Sequence, residues 1–220
     1  MKMIKKIFCV AMIGFIAHSA YGENAEYGPE SVNKATFMRL GGLYSVPSKV
    51  FKAKCNSAFG IDFGVGHVFN PHLRAELTFS YRRAQSNKTD QQHVKAKVGS
   101  KTLMLNLSLS PKTFSDFTPY VNIGFGGGIN RLHKVKGYPS GATIPDTYRQ
   151  SITWQLGFGL YYTPCPDVGV DLQYRYIDLG KVSPAKYQID QNGNVKKIPT
   201  IKASKLNAHE ISLGLVFFLL

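Results

Sequence analysis

Residues 59–82, FGIDFGVGHVFNPHLRAELTFSYR, alternate apolar with polar or small side chains in two runs joined by Asn70-Pro71-His72. In the first run Phe59, Ile61, Phe63, Val65 and Phe69 share one face, and Gly60, Asp62, Gly64 and Gly66 share the other. In the second, Leu73, Ala75, Leu77, Phe79 and Tyr81 oppose Arg74, Glu76, Thr78, Ser80 and Arg82. Successive side chains on a strand point to opposite sides. Each run is therefore a strand with one apolar wall, and the short turn makes the pair an antiparallel hairpin.

The same unit repeats in both directions. Leu103, Leu105, Leu107 and Leu109 alternate with Met104, Asn106, Ser108 and Ser110, and Val121, Ile123, Phe125 and Ile129 with Tyr120, Asn122, Gly124, Gly126 and Gly128. Further on, Ile152, Trp154, Leu156, Phe158, Leu160 and Tyr162 oppose Thr153, Gln155, Gly157 and Gly159. Val168, Val170, Leu172, Tyr174 and Tyr176 oppose Gly169, Asp171, Gln173 and Arg175, and Ile211, Leu213, Leu215 and Phe217 oppose Glu210, Ser212 and Gly214. With a weaker first strand over Thr36 to Tyr44 the count is eight. Short turns follow strands two, four and six. Long polar loops follow strands one, three, five and seven, at 45–57, 85–99, 131–149 and 180–204. Alternating short and long connections between alternating strands are the pattern of a transmembrane barrel. The fold expected is all-β, an eight-stranded antiparallel up-and-down transmembrane β-barrel. Asn192-Gly193, a hairpin turn signal, extends the fourth loop as a two-stranded ribbon.

A soluble barrel would show the same alternation with its apolar face hidden inside, and lysine placement separates the two. Of the 220 residues only 18% are charged while 12% are aromatic, and 21 are glycine. Beyond residue 22 the lysines fall in loops, turns and strand ends, and the polar strand faces carry Gly, Ser and Asn. Short polar side chains suit a narrow lumen, because eight strands leave an interior just filled by side chains. Trp154, Tyr81, Tyr162 and Tyr176 lie near strand ends on the apolar face, where an interfacial aromatic girdle belongs. The composition excludes a disordered chain at 44% hydrophobic residues, and a disulfide scaffold with three cysteines.

The first residues read as an export signal. Lys2, Lys5 and Lys6 precede an apolar stretch from Ile7 to Ala17, and Ala20-Tyr21-Gly22 supplies a small-x-small cleavage pattern. The apolar stretch is short of the roughly 20 residues a spanning helix needs. The expected organisation is a signal over 1–22, a periplasmic N-terminal segment over 23–35 and the barrel over 36–220, placed in the outer membrane of a Gram-negative cell.

Three segments carry a family resemblance: Phe117-Thr118-Pro119-Tyr120 leading into Gly124-Phe125-Gly126-Gly127-Gly128, then Gly157-Phe158-Gly159-Leu160-Tyr161-Tyr162-Thr163-Pro164, and above all 170–180, VDLQYRYIDLG. Together they resemble the OmpA-like and opacity-type outer-membrane barrels, which include surface antigens and adhesins of Gram-negative bacteria. The resemblance implies a barrel that acts as a scaffold, with variable loops carrying adhesion, serum resistance or antigenicity. It also implies recognition by the barrel-assembly machinery, although Leu219-Leu220 stand where the family usually closes on an aromatic residue. The chain ends at the eighth strand, so no peptidoglycan-binding domain of the OmpA type is expected.

Two sets of residues are candidates for function. Arg39, Arg74, Arg82 and Arg175 face inward with Asp62, Glu76, Asp171 and Glu210. Four cations against four anions in a closed interior must pair, because an unpaired buried charge costs several kcal/mol; a lumen ion-pair network is the economical reading, and a narrow gated pore the alternative. The second set is the basic loops. The chain carries +14, of which three lysines leave with the signal, and the four loops together with the strand-edge Lys101 and Lys205 carry +14 against the remaining +11. Lys49, Lys52 and Lys54 lie in the first loop, Lys88, Lys95 and Lys97 in the second, Lys134 and Lys136 in the third, and Lys186, Lys196, Lys197 and Lys202 in the fourth. Clustered fixed charge raises encounter rates and salt-dependent binding. These loops are expected to meet lipopolysaccharide phosphates and to capture acidic host ligands such as sulfated glycans or acidic serum components. The alternatives are a small porin-like pore and a purely structural membrane protein.

Catalysis is not expected. His209 precedes Glu210, but strand neighbours point to opposite faces, and the serine partner of lipid A hydrolases and acyltransferases is absent. Gly124 to Gly128 lacks the Gly-Lys-Ser/Thr and the helix of a phosphate loop. No cofactor, no metal site and no specific nucleic acid are expected, and the barrel is expected to be a monomer. Cys55 in the first loop and Cys165 in the third short turn should stand at opposite ends of the apolar band, beyond disulfide reach.

Overall fold

The computed structural model describes residues 36–48, 56–85, 97–111, 116–133, 135–136, 143–164, 167–182, 187–189, 195–197 and 203–219. In chain order the strands are β1 (Thr36–Pro47), β2 (Ala58–Asn70), β3 (Leu73–Gln85), β4 (Lys97–Leu109), β5 (Phe117–Leu132), β6 (Val135–Lys136), β7 (Thr143–Ile144), β8 (Thr147–Tyr162), β9 (Val168–Val182), β10 (Tyr187–Ile189), β11 (Val195–Lys197) and β12 (Ser204–Leu219). Eight of them close a barrel in the order β1-β12-β9-β8-β5-β4-β3-β2. Every neighbouring pair is antiparallel, and β1 pairing β12 from Thr36↔Leu219 to Pro47↔Ala208 removes the last free edge. No helix among the described residues is long and apolar enough to cross a membrane. The eight-stranded antiparallel barrel read from the alternation is the fold observed.

The faces sort as the alternation demands. Ile61 is 59% exposed on the outer wall while its neighbour Asp62 is fully buried in the lumen. The outer wall carries Leu105, Ile123, Phe125, Leu156, Phe158, Ile211 and Leu213 exposed together, an apolar surface far larger than water tolerates on a monomer. On β12 the outward residues from Leu219 to Ile211 are all apolar. Eight steps of about 3.4 Å, tilted by about 40°, give ~21 Å, close to the ~25 Å apolar band of outer-membrane barrels. At the short-turn end, the turn after β2 is closed by the Asn70 side chain accepting from the His72 N–H at 2.9 Å. Ser110 N–H donates to His72 O at 2.9 Å, and Thr163 N–H to Asp116 O at 2.8 Å.

Several strands outrun their expected limits. β1 continues to Pro47, β4 begins at Lys97, β8 at Thr147 and β9 ends at Val182, so the loops are shorter than the stated ranges and the barrel wall stands taller. In this taller part the face preference inverts. Lys205, exposed, and Asn207 point outward on β12, while Leu206 and Ala208 are buried inside. With Val98, Leu132, Ile177, Leu179 and Val182 they form an apolar cluster in the lumen mouth. A wall with water outside needs its apolar side within, whereas a wall in lipid needs it without. A second cluster, Phe37, Val68, Tyr120, Tyr161, Val216 and Phe218, fills the lumen near the short-turn end. The interior is thus three layers: apolar, charged, apolar.

Candidate functional site

The middle layer is built from inward positions of β1, β2, β3, β9 and β12. Glu210, fully buried, accepts from Arg82 Nε at 2.5 Å and Nη2 at 2.9 Å, and from Arg175 Nε at 2.8 Å. Arg175 Nη2 also reaches both oxygens of Asp62, at 2.9 and 3.2 Å. Arg39 donates to Glu76 at 3.0 Å and lies 3.6 Å from Asp171 and 3.8 Å from Asp62. Neutral groups complete the net: Tyr120 hydroxyl donates to Asp171 at 2.7 Å, Thr78 to Glu76 at 2.8 Å, and Arg82 Nη1 to Thr102 at 2.9 Å. Asn106 links Thr78 and Gln155 at 2.8 and 2.7 Å. Gly64 leaves room for this net, since a Cβ there would stand 2.0 Å from Glu76 Oε1 and displace that carboxylate.

Arg74 departs from the expected network. It is buried on β3, but its guanidinium lies 4.0 Å over the Tyr161 ring, and its Nε and Nη1 have no hydrogen-bond partner. The cause is its height: inward from Val68 and Ser108, it sits within the lower aromatic layer rather than among the carboxylates. Alternation identified all eight charged residues as inward but not the layers they occupy.

At the loop end the described exposed charges are basic. Arg83, Lys101, Lys181 and Lys205 are exposed on the outer wall. Lys101 lies 5.8 Å over the Tyr81 ring and the Arg131 guanidinium 5.0 Å over Tyr148, with Arg131 also bonded to Asp146. At the short-turn end the described exposed charges are Asp116 and Asp167. Of the loop lysines singled out, Lys49, Lys52, Lys54, Lys88, Lys95, Lys134, Lys186 and Lys202 lie outside the described residues, as do Cys55 and Cys165. Lys97 lies on β4, Lys136 on β6, and Lys196 and Lys197 on β11. The ribbon signalled by Asn192-Gly193 is the β10–β11 hairpin, with Tyr187↔Lys197 and Ile189↔Val195. It does not stand alone. Ile189 pairs with Thr143, joining it to the β6–β7 hairpin in one sheet of order β11-β10-β7-β6. The third and fourth loops thus form a single platform, with Lys136 and Lys196-Lys197 on its two edge strands.

The histidines take structural partners. His209 points outward and bonds the Tyr174 hydroxyl through Nδ1 at 2.7 Å, while Glu210 points inward. His72 Nδ1 meets Ser110 O at 2.8 Å, and His67 Nδ1 meets Thr36 Oγ1 at 3.2 Å. No cluster of three His, Cys, Asp or Glu side chains able to hold a metal ion occurs among the described residues.

Known proteins share this architecture. Outer membrane protein PagN of Salmonella typhimurium is 24% identical over 193 residues, spanning 82% of this chain and 77% of PagN. The crystal structure of Neisserial surface protein A matches with a TM-score of 0.51 at 20% identity, covering 84% of this chain and 97% of that one. Ail, the attachment invasion locus protein of Yersinia pestis, solved with the heparin analogue sucrose octasulfate, matches with a TM-score of 0.52 at 13% identity, covering 85% and 99%. The family model described as outer membrane protein beta-barrel domain matches residues 8–217, and the chain belongs to that family.

Proposed function

We propose that the barrel is a scaffold in the Gram-negative outer membrane whose loop end is an adhesive, antigenic surface for acidic host or glycan ligands. The observation that carries this reading is the segregation of charge along the barrel axis. The loops with the strand-edge Lys101 and Lys205 hold +14 in the sequence, the described rim exposes Arg83, Lys101, Lys181 and Lys205, and the described short turns expose Asp116 and Asp167. A fixed cationic surface concentrates polyanions and speeds their encounter in a salt-dependent way. The joined sheet of the third and fourth loops adds support, because it sets Lys136, Lys196 and Lys197 on one platform. Ail was solved with a sulfated sugar, the ligand class this charge would favour. In this reading residues 1–22 are removed on export, 23–35 stay periplasmic, and the monomeric barrel over 36–220 contacts lipopolysaccharide and reaches the membrane through the barrel-assembly machinery. Display is favoured over conduction because apolar layers close the lumen above and below the charges.

Binding of the protein in lipid vesicles to host cells, with and without heparin as competitor, tests the reading. Binding is expected to fall with heparin and at about 0.5 M salt, where screening shortens to a few ångströms. It should also fall on separate deletion of the second and fourth loops. Host-cell binding indifferent to both salt and heparin would refute an electrostatic adhesin.

A further inference from the structure

Strand alternation breaks between β9 and β12 near the loop end, and two lysines meet there. Along β9 and β12, Lys205 pairs with Lys181 but Asn207 pairs with Asp178, so β9 holds one extra residue. Gly180 takes φ +80°, a conformation open to glycine at little expense. The Asp178 carboxylate accepts the Gly180 N–H at 2.9 Å. Ser151 on β8 clamps the next residue: its hydroxyl accepts from Lys181 N–H at 3.1 Å and donates to Lys181 O at 3.3 Å.

A bulge re-aims side chains. Below this one Asp171, Gln173, Arg175, Ile177 and Leu179 are buried in the lumen, and in an unbroken strand Lys181 would join them. The bulge turns Lys181 outward and buries Val182 instead. Lys181 then stands directly across from Lys205, which is 62% exposed. Like charges facing each other across strands are destabilising. Asp178, 2.9 Å from Lys205 Nζ, offsets one of the two. Just below lie Trp154, 5.6 Å from the Tyr176 ring, and His209, edge-on to Tyr176 at 5.3 Å. Asn207 donates to the Tyr176 hydroxyl at 2.6 Å. Polar-tipped aromatics belong at headgroup level, and the lipid-facing Ile211, Leu213 and Leu215 continue downward from them.

We infer that this wall of β8, β9 and β12 is a docking site for a phosphorylated glycolipid of the outer leaflet. Lys181 and Lys205 hold a phosphate, and Trp154, Tyr176 and His209 flank the sugar above its acyl chains. The anion supplies what the lysine pair lacks, and the apolar wall beneath receives the chains. The site rests on the reading that the barrel contacts lipopolysaccharide, and because it lies on the barrel wall it does not depend on the loops' adhesive role.

The full chain in phosphatidylcholine nanodiscs is titrated with diphosphorylated lipid A, with dephosphorylated lipid A and with inorganic phosphate. The Lys181→Ser/Lys205→Ser double variant is expected to bind diphosphorylated lipid A about 30-fold more weakly, the effect of removing two lysines near a lipid surface. Lys181→Arg/Lys205→Arg should keep binding, and an unchanged thermal melt of the serine variant shows that it is folded. Lys101→Ser, which removes a lysine from the opposite wall, is expected to change binding less than about threefold. Equal losses at Lys101 and at the pair would overturn the site in favour of diffuse charge. So would equal binding of dephosphorylated lipid by wild type, or displacement by inorganic phosphate at the lipid's own concentration, which would make it a free-phosphate site. Retained heparin binding by the double variant separates this result from the fate of the loop reading.

Discussion

Glu210→Gln removes one oxygen's charge from the centre of the lumen while conserving volume. Glu210 accepts three charge-assisted bonds, two from Arg82 and one from Arg175. The amide can keep one acceptor, but its NH2 then faces guanidinium donors. Arg175 retains Asp62, whereas Arg82 is left with the Thr102 hydroxyl. Removing one member of a buried pair leaves an uncompensated charge and typically destabilises by about 3–5 kcal/mol. The loss should sit at the upper end, since Glu210 and Asp62 are fully buried between the two apolar layers. Adding Arg82→Gln removes the guanidinium that Glu210 had paired, so the double variant should be less destabilised than the sum of singles, with a coupling of about 2 kcal/mol. Reversible urea unfolding in lipid vesicles is read from Trp154, the one tryptophan of the chain, on the lipid-facing wall of β8. A Glu210→Gln stability within about 0.5 kcal/mol of wild type would show that water reaches the network and refute the argument.

The same layering predicts that planar-bilayer recordings show no steady large conductance; a stable open level would contradict the filled lumen. Leu105→Arg, halfway along the outward face of β4, should destabilise by about 2–4 kcal/mol in vesicles, and a loss under about 1 kcal/mol would place that face outside the hydrocarbon. Gly126→Ala should destabilise by about 1–3 kcal/mol, because its Cβ would stand 2.1 Å from the Leu103 carbonyl oxygen. Gly127→Ala has open space around the new Cβ and should be neutral or stabilising by about 0.4–1 kcal/mol; unfolding midpoints for these adjacent substitutions should move in opposite directions or by clearly different amounts.

Alternation carries one bit per residue, in or out, and that bit was legible along nearly every strand. Asp62, Arg74, Glu76 and Glu210 were placed in the lumen from their neighbours alone, and His209 was separated from Glu210 on the same ground. Height along the barrel axis is a second coordinate, and it depends on register between strands distant in sequence. Arg74 shows the consequence. Its parity matches Arg82, but only the pairing with Val68 and Ser108 reveals that it stacks on Tyr161 rather than bonding a carboxylate. The loop platform was half legible for the same reason. Asn192-Gly193 announces its own hairpin locally, whereas the Ile189↔Thr143 bridge joins segments that no local pattern connects. The bulge had a signal, Asp178-Leu179-Gly180 followed by a lysine in an inward phase, which reads as readily as the end of a strand.

A single strand can answer to two solvents in turn, and β12 shows where the change falls. From Lys205 to Ala208 its outward residues are polar and its inward ones apolar; from Glu210 to Gly214 the assignment is reversed; at Val216 and Phe218 both faces are apolar. The first change, at His209-Glu210, coincides with the aromatic cluster of Trp154, Tyr174 and Tyr176. That coincidence follows from one cause, the passage from water to lipid around the wall, and it fixes the barrel's height in the membrane without reference to the loops. Because the upper apolar layer is made by barrel strands, the packing of the lumen does not rely on loop sequence either. Stability is then decoupled from the basic surface above it, and the loops can change composition without opening or unfolding the scaffold.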